Sequence, residues 1–290
     1  MLFAAALLAL AHAATPAPAP PQTAVPDSTA PDKIVPDTTV QWLAIQPGMQ
    51  QTSVPVGDDA SAAHITVLRF DPHEWQLEFA GSGDAAEDKA RTAREWARQK
   101  NFAAVINAGM FRRDYKTHVG LLQARGRASS SHPNQYQSIA AFDPRDAKLP
   151  AFHIFDLDAE GVSLPAILEQ YASAVQNLRL IKRAGANQWP KQTRQWSEAA
   201  LGEDDAGRIL FIICRAPLSM HDLNARLLTA GIGIVAAQHL EGGPEAQLYL
   251  HAGDIEHEWF GSYETSFRED DTNDAAWPIP NVLGVRRRAR

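Results

Sequence analysis

One cysteine in 290 residues means that the chain can close no disulfide within itself. That cysteine, Cys214, ends the apolar run RILFIIC, where a buried thiol is expected rather than a nucleophile, because burial disfavours the thiolate. The sequence has no phosphate-binding loop, dinucleotide fingerprint, Cys/His zinc spacing or helical His-Glu-x-x-His, so those chemistries have no anchor. It also lacks Gly-x-Ser-x-Gly, the nucleophile elbow of the α/β-hydrolases. Positive charge is in deficit: a formal charge of −7 argues against nucleic acid or an anionic membrane as a general partner. The terminal Arg286, Arg287, Arg288 and Arg290 read as a solvated tail. The acidic turns at Asp204-Asp205 and Glu269-Asp270-Asp271 read as solvated faces rather than calcium cages, so no metal and no cofactor are expected.

The apolar start, MLFAAALLALAHA, is too short to span a bilayer. It has the length of a signal-peptide core and ends in Ala11-His12-Ala13, a small-x-small cleavage pattern, although no Lys or Arg precedes it. Residues 1–13 therefore read as a signal peptide, and the protein as secreted or periplasmic, without stable membrane insertion. Residues 14–39, rich in Pro, Ala, Thr and Asp, read as an extended linker with little to bury. Residues 40–290 form a single expected domain, since 45% hydrophobic and 21% charged residues suffice for a sizeable core.

Within that domain HITVLRF (64–70) and EWQLEF (74–79) pattern as strands around the turn Asp71-Pro72-His73. Ala86, Ala90, Ala93 and Ala97 recur at helical spacing, predicting a helix over 84–100. FAAVIN (102–107) is a buried-type strand, followed by a long polar loop to Tyr136 that only VGLL interrupts. Strands are expected at 138–142 and 151–155, a helix at 165–174 behind Pro165, and a strand at 176–181. WSEAALGEDDAGRILFIIC reads as a hairpin turning at 203–207. Ser219 to Asp222 has the pattern of a capping box, opening a helix that turns Leu223, Leu227 and Leu228 inward and closes at Gly231. A strand from Ile234, the turn Gly242-Gly243, a strand resuming at Leu248 and a last strand over 281–285 complete the domain. Strands outnumber helices, so the expected fold is α+β: a largely antiparallel mixed sheet with two or three helices packed on it.

The polar residues collect at strand ends. Glu241 stands at the mouth of the glycine turn in HLEGGPEAQLYL, with His239 before it and Gly242 and Gly243 after it. Asn107 closes FAAVIN, and Gly109 and Phe111 follow it. His118 and Gly120 belong to THVGLL, Asn177 to QNLRL, and Ser197 to the hairpin. Each also has a plain reading: a carboxylate there caps its own turn, a strand-end asparagine closes an Asx turn, and a lone histidine packs in a core.

In this order, NAGMF with VGLL, QNLRL, the alanine-glycine hairpin, the capped helix and HLEGG resemble the phosphodiester glycosidase domain family over roughly residues 70–287. The resemblance implies a hydrolase that cleaves a sugar-1-phosphodiester at the anomeric carbon, with a glycan or sugar-phosphate as its partner molecule. The family pattern has Leu-Asp-Gly-Gly, often before Gly-Ser, where this chain has Glu241 and Pro244-Glu245. Carried over, Glu241 is the expected base or nucleophile. Asn107, His118 and the amides near Gly109 and Gly242 would hold phosphate and sugar oxygens, since a phosphate monoester leaves without strong acid help. Phe111, Gly120, Asn177, Ser197, His239 and Gly243 complete the expected substrate site. The rival reading is a non-catalytic carbohydrate- or envelope-binding domain on the same fold. No oligomeric state follows from the sequence.

Overall fold

A computed structural model describes residues 40–57, 63–82, 89–125, 127–130 and 132–289. The expected signal peptide, the linker and Ala86 lie outside these residues. The fold is α+β, with antiparallel pairing throughout the strands below. One eight-stranded sheet contains β1 (Leu43–Gln46), β2 (Met49–Pro55), β3 (His64–Phe70), β11 (Arg179–Lys182), β12 (Ala186–Asn187), β13 (Trp196–Asp204), β14 (Ile209–Leu218) and β15 (Ile234–Gly242), in the order β1-β2-β3-β14-β13-β15-β11-β12. A second holds β6 (Leu122–Ala124), β7 (Arg127–Ser130), β8 (Ser138–Pro144), β9 (Phe152–Asp156) and β10 (Tyr171–Asn177), ordered β7-β6-β10-β8-β9. The third holds β4 (Trp75–Gly81), β5 (Ala104–Asn107), β16 (Gln247–Ala252), β17 (Ile255–Phe260) and β18 (Asn281–Arg287), ordered β17-β16-β5-β18-β4.

All three sheets share one core, because alternate residues of a strand face opposite sides. Leu68 and Phe70, Phe211 and Ile213, Ala140 and Phe142, and Leu248 and Leu250 all enter it. The intervening residues go to the outer faces, and each is covered by a helix. Ile65, Val67, Leu210 and Ile212 pack under α3 (Met220–Thr229) through Leu223 and Leu227. Ala93, Trp96 and Ala97 of α1 (Ala93–Lys100) cover Val105, Tyr249 and Val282. Ile167 of α2 (Leu164–Gln170) covers Ile139, Ala141 and Tyr171. Burial on both faces is why RILFIIC is apolar without alternation, and why Cys214 is inert: burial pushes its thiol up to about 12.

Three boundaries differ from expectation for physical reasons. The first helix begins at Ala93, because Thr92 caps it reciprocally with Glu95 and Arg91 is already bridged to Ile279. The second ends at Gln170: the helix-favouring YASAV segment instead pairs with β8 from Tyr171↔Pro144 to Asn177↔Ser138, and tertiary pairing overrides propensity. The expected strand 176–181 breaks at Leu178, where the chain leaves the second sheet for the first. Arg286 and Arg287 are not part of a loose tail, since Arg286 pairs with Glu78 at 3.2 Å and Arg287 with Glu74 at 2.6 Å; Arg290 lies outside the described residues. Asp204 is buried rather than solvated, accepting from the Arg208 side chain at 2.7 Å.

Candidate active site

Strand β15 runs further than its sequence suggests, so His239 and Glu241 lie on the strand itself. The register with β13 slips by one residue between Ala200↔His239 and Ala199↔Glu241. Such bulges re-aim side chains next to active sites, and here the slip sends Leu240 into the core and leaves Glu241 half-buried at the strand end. The Glu241 carboxylate accepts a hydrogen bond from the Gly242 amide at 3.1 Å. Burial, then Glu245 and Glu198, push its pKa up to about 8, against the opposing pull of His239.

Behind it lies a buried ion pair. His239 Nδ1 is 2.5 Å from Glu198 Oε1, and the Trp196 indole donates to the other oxygen of Glu198 at 2.7 Å. Burial works against both charges. For His239 it is outweighed by Glu198, Glu241 and Glu264, so the imidazole pKa is raised above its ordinary range. Burial raises Glu198 in turn, and His239 pulls it back. The His239 imidazole, its charged form favoured by these acids, thus lies between the buried Glu198 and the half-buried Glu241.

The residues after the glycines add two further acids. Gly243 adopts φ +62°, and a Cβ there would stand 2.7 Å from Glu264 Oε2, so glycine lets the Glu264 carboxylate lie against the turn. Glu264 faces β13 through a bridge to Trp196. Its pKa is raised by burial and drawn down by Arg194 and His239. Glu245 accepts from the Tyr115 hydroxyl at 3.2 Å, and burial, then Glu264, raise it while that bond opposes the rise. Tyr115 and Tyr136 bring two loops to the same place: burial is the first cause of each raised pKa, and Glu241 contributes to both.

Asn107 holds this turn rather than facing solvent. Its amide donates to the Glu245 carbonyl at 2.9 Å and accepts from the Gln247 amide at 2.7 Å. Asn107→Ala would orphan both backbone groups, so we expect a loss of about 2 kcal/mol in urea denaturation. An unchanged midpoint would show that the turn does not depend on it.

The other residues marked by sequence fall into two groups. His118, Gly109 and Asn177 touch one another beside the turn. Gly109 has φ +148°, and a Cβ there would meet Asn177 Oδ1 at 2.1 Å and His118 Cε1 at 2.5 Å. Asn177 donates to the Ala108 carbonyl at 2.9 Å, and His118 Nε2 lies 3.0 Å from the Gln176 carbonyl. His118 is buried, and that burial lowers its pKa to about 4, so it is a neutral imidazole. Gly120 lies against the Gln176 backbone, and Phe111 bridges His118 and packs on Tyr115 with ring centroids 5.0 Å apart. Ser197 points elsewhere: its hydroxyl donates to the Arg215 carbonyl at 2.6 Å and accepts from the Ser262 and Tyr263 amides.

Sequence reasoning missed Glu198, Glu245, Glu264, Trp196, Tyr115 and Tyr136. One signal was there for Glu198, a lone acid inside the apolar strand WSEAALG, since a buried charge needs a partner. Among the described residues no three His, Cys, Asp or Glu side chains are placed to share a metal ion, and no helix is long and apolar enough to cross a membrane.

The sequence profile of the phosphodiester glycosidase family matches residues 100–286. The fold is similar to that of the catalytic domain of zebrafish N-acetylglucosamine-1-phosphodiester alpha-N-acetylglucosaminidase, auto-inhibited by its pro-peptide (TM-score 0.61, 14% identity, covering 86% of this chain and 88% of that one). It is also similar to a hypothetical protein from Synechocystis (TM-score 0.61, 15% identity, covering 86% of this chain). The chain spans 64% of the length of that protein. At these identities the likeness is one of fold. No curated protein sequence matches the chain.

Proposed function

The chain belongs to the phosphodiester glycosidase family, and from that premise we propose that it is an exported hydrolase cleaving the bond between an anomeric carbon and phosphate in a glycan or envelope polymer. The observation that carries this reading is Glu241, a half-buried carboxyl held near pKa 8 at the bulged end of β15. A group with that pKa carries its proton at neutral pH. It suits the general acid better than the base or nucleophile that the sequence suggested.

The reaction adds water across the C1–O bond: the sugar gains the hydroxyl, and the phosphate leaves as a monoester carrying the proton. Glu241 donates a hydrogen bond to the leaving phosphate oxygen as the oxocarbenium-like transition state develops, and because a phosphate monoester with its second pKa at about 6 leaves without strong acid help, partial proton transfer is enough. A neutral acid also solves a problem of charge, since an ionised carboxylate there would repel a phosphodiester. The arriving anion raises the Glu241 pKa further and keeps the proton in place. Glu264, whose pKa burial raises while Arg194 and His239 pull it back, takes the proton of the attacking water in its ionised form. The imidazolium of His239, fixed by Glu198, offsets the negative charge gathered around the phosphate.

The assay follows the phosphomonoester released from N-acetylhexosamine-1-phosphodiesters. We expect turnover that declines as pH rises through about 8, where Glu241 loses its proton. Sugar-phosphate binding without turnover at any pH would overturn the hydrolase and favour a binding domain. The domain assignment, 40–290 behind a cleaved leader at 1–13 and a linker at 14–39, is part of the proposal. It is tested by the N-terminal sequence of the exported protein.

A further inference from the structure

Beside the acidic site, lined on that side by Leu178 and Tyr136, lies a cavity of about 320 Å³, in the lower part of the range for small-ligand sites. Leu178 ties it to the site, because its carbonyl accepts the His239 amide at 2.8 Å, two residues from Glu241. Tyr136 belongs to both places, lining the cavity and lying within the field of Glu241.

The lining has the chemistry of a sugar platform. Tyr136 and Trp189 supply aromatic faces, and Gln135 and Gln188 supply exposed amides. The Trp189 indole donates to the Arg179 carbonyl at 2.8 Å, and its backbone amide to Asn187 at 3.2 Å, so the ring is fixed before any ligand arrives. Arg179 is not an anion trap: its guanidinium pairs with Asp158 at 2.6 Å and Asp156 at 3.2 Å and donates to Gln188 at 3.1 Å. With that charge satisfied, the cavity offers apolar ring faces and neutral hydrogen-bonding groups. An uncharged sugar, with its C–H face and hydroxyl rim, meets both needs. A phosphate meets neither.

We propose that the cavity formed by Tyr136, Trp189, Gln135 and Gln188 is a subsite for a neutral sugar residue of the glycan carrying the scissile phosphodiester. The proposal rests on the hydrolase reading for the identity of that glycan, but the binding can be read without turnover.

Full-length protein carrying Glu241→Gln is titrated by calorimetry with neutral tetrasaccharides of glucose and of N-acetylglucosamine. We expect saturable binding that weakens about tenfold with Trp189→Ala and less with the paired Gln135→Ala and Gln188→Ala changes. Trp189→Phe, which keeps a ring, guards against misfolding and is expected to lie between. In the active protein the same changes are expected to lower kcat/KM for an oligosaccharyl phosphodiester relative to a monosaccharyl one, through KM. Absence of tetrasaccharide binding, or equal binding by all variants, overturns the subsite. If no phosphodiester is turned over while tetrasaccharides still bind through Trp189, the hydrolase reading fails and the subsite stands.

Discussion

Replacing Glu241 with glutamine is expected to lower kcat on sugar-1-phosphodiesters by about 10²-fold, the lower end of the range for losing a positioned proton donor because the phosphate needs little acid help, while making the protein more stable at pH 8. The two signs have one cause. Burial, Glu245 and Glu198 raise the carboxyl to about 8, whereas in the unfolded chain it ionises near pH 4.3. The native state therefore holds a proton that the unfolded state has lost throughout that interval. The stability linked to this group is complete below about pH 4.3 and is lost as pH rises toward 8. Glutamine is neutral throughout, so the variant should gain on wild type progressively over the same window. Solvent reaches the half-buried carboxyl and screens it, so the gain is set at about 2 kcal/mol rather than the full value of the shift. Urea titrations of both proteins at pH 5 and pH 8 read it directly. Equal stability differences at the two pH values would mean that Glu241 is not held protonated by the fold.

The second large effect has the opposite sign. Glu198→Ala removes the partner of His239 and the acceptor of the Trp196 indole. It leaves the imidazole fully buried with its Nδ1 unpaired, and breaking a buried pair from one side costs about 3–5 kcal/mol. Activity should fall as well, because the histidine loses the carboxylate that keeps it charged beside Glu241. Glu198→Gln retains a hydrogen-bond acceptor and should recover much of the stability but little of the activity. A fold indifferent to Glu198→Ala, measured by thermal melting, would contradict the picture of a paired buried dyad.

Much of this arrangement could be read in the sequence, and the part that could not has an identifiable physics. HLEGG announced a carboxylate at a glycine turn, because glycine residues beside an acid are a local signal. NAGMF and THVGLL announced the loop that packs beside it, since their glycines are demanded by close approach, as at Gly109 against Asn177. Which acids gather around Glu241 depends on partners far away in the chain. Glu198 reaches His239 across 41 residues, and Tyr115 reaches Glu245 across 130. No local pattern encodes such a meeting. Hydrogen bonding likewise placed Asn107 on the backbone of residues 245–247, where the sequence marked only a polar strand end. The YASAV segment is the same lesson for the fold: alanine favours a helix locally, and β8 claims the segment as a strand.

Whether water attacks the sugar carbon or phosphorus is decided by hydrolysis of a sugar-1-phosphodiester in ¹⁸O-water, with mass analysis of the phosphate product. Attack at carbon gives a phosphomonoester without solvent oxygen, and we expect that product from wild type and almost none from Glu241→Gln. A phosphomonoester carrying one ¹⁸O would place the cleavage at the P–O bond and contradict attack at carbon.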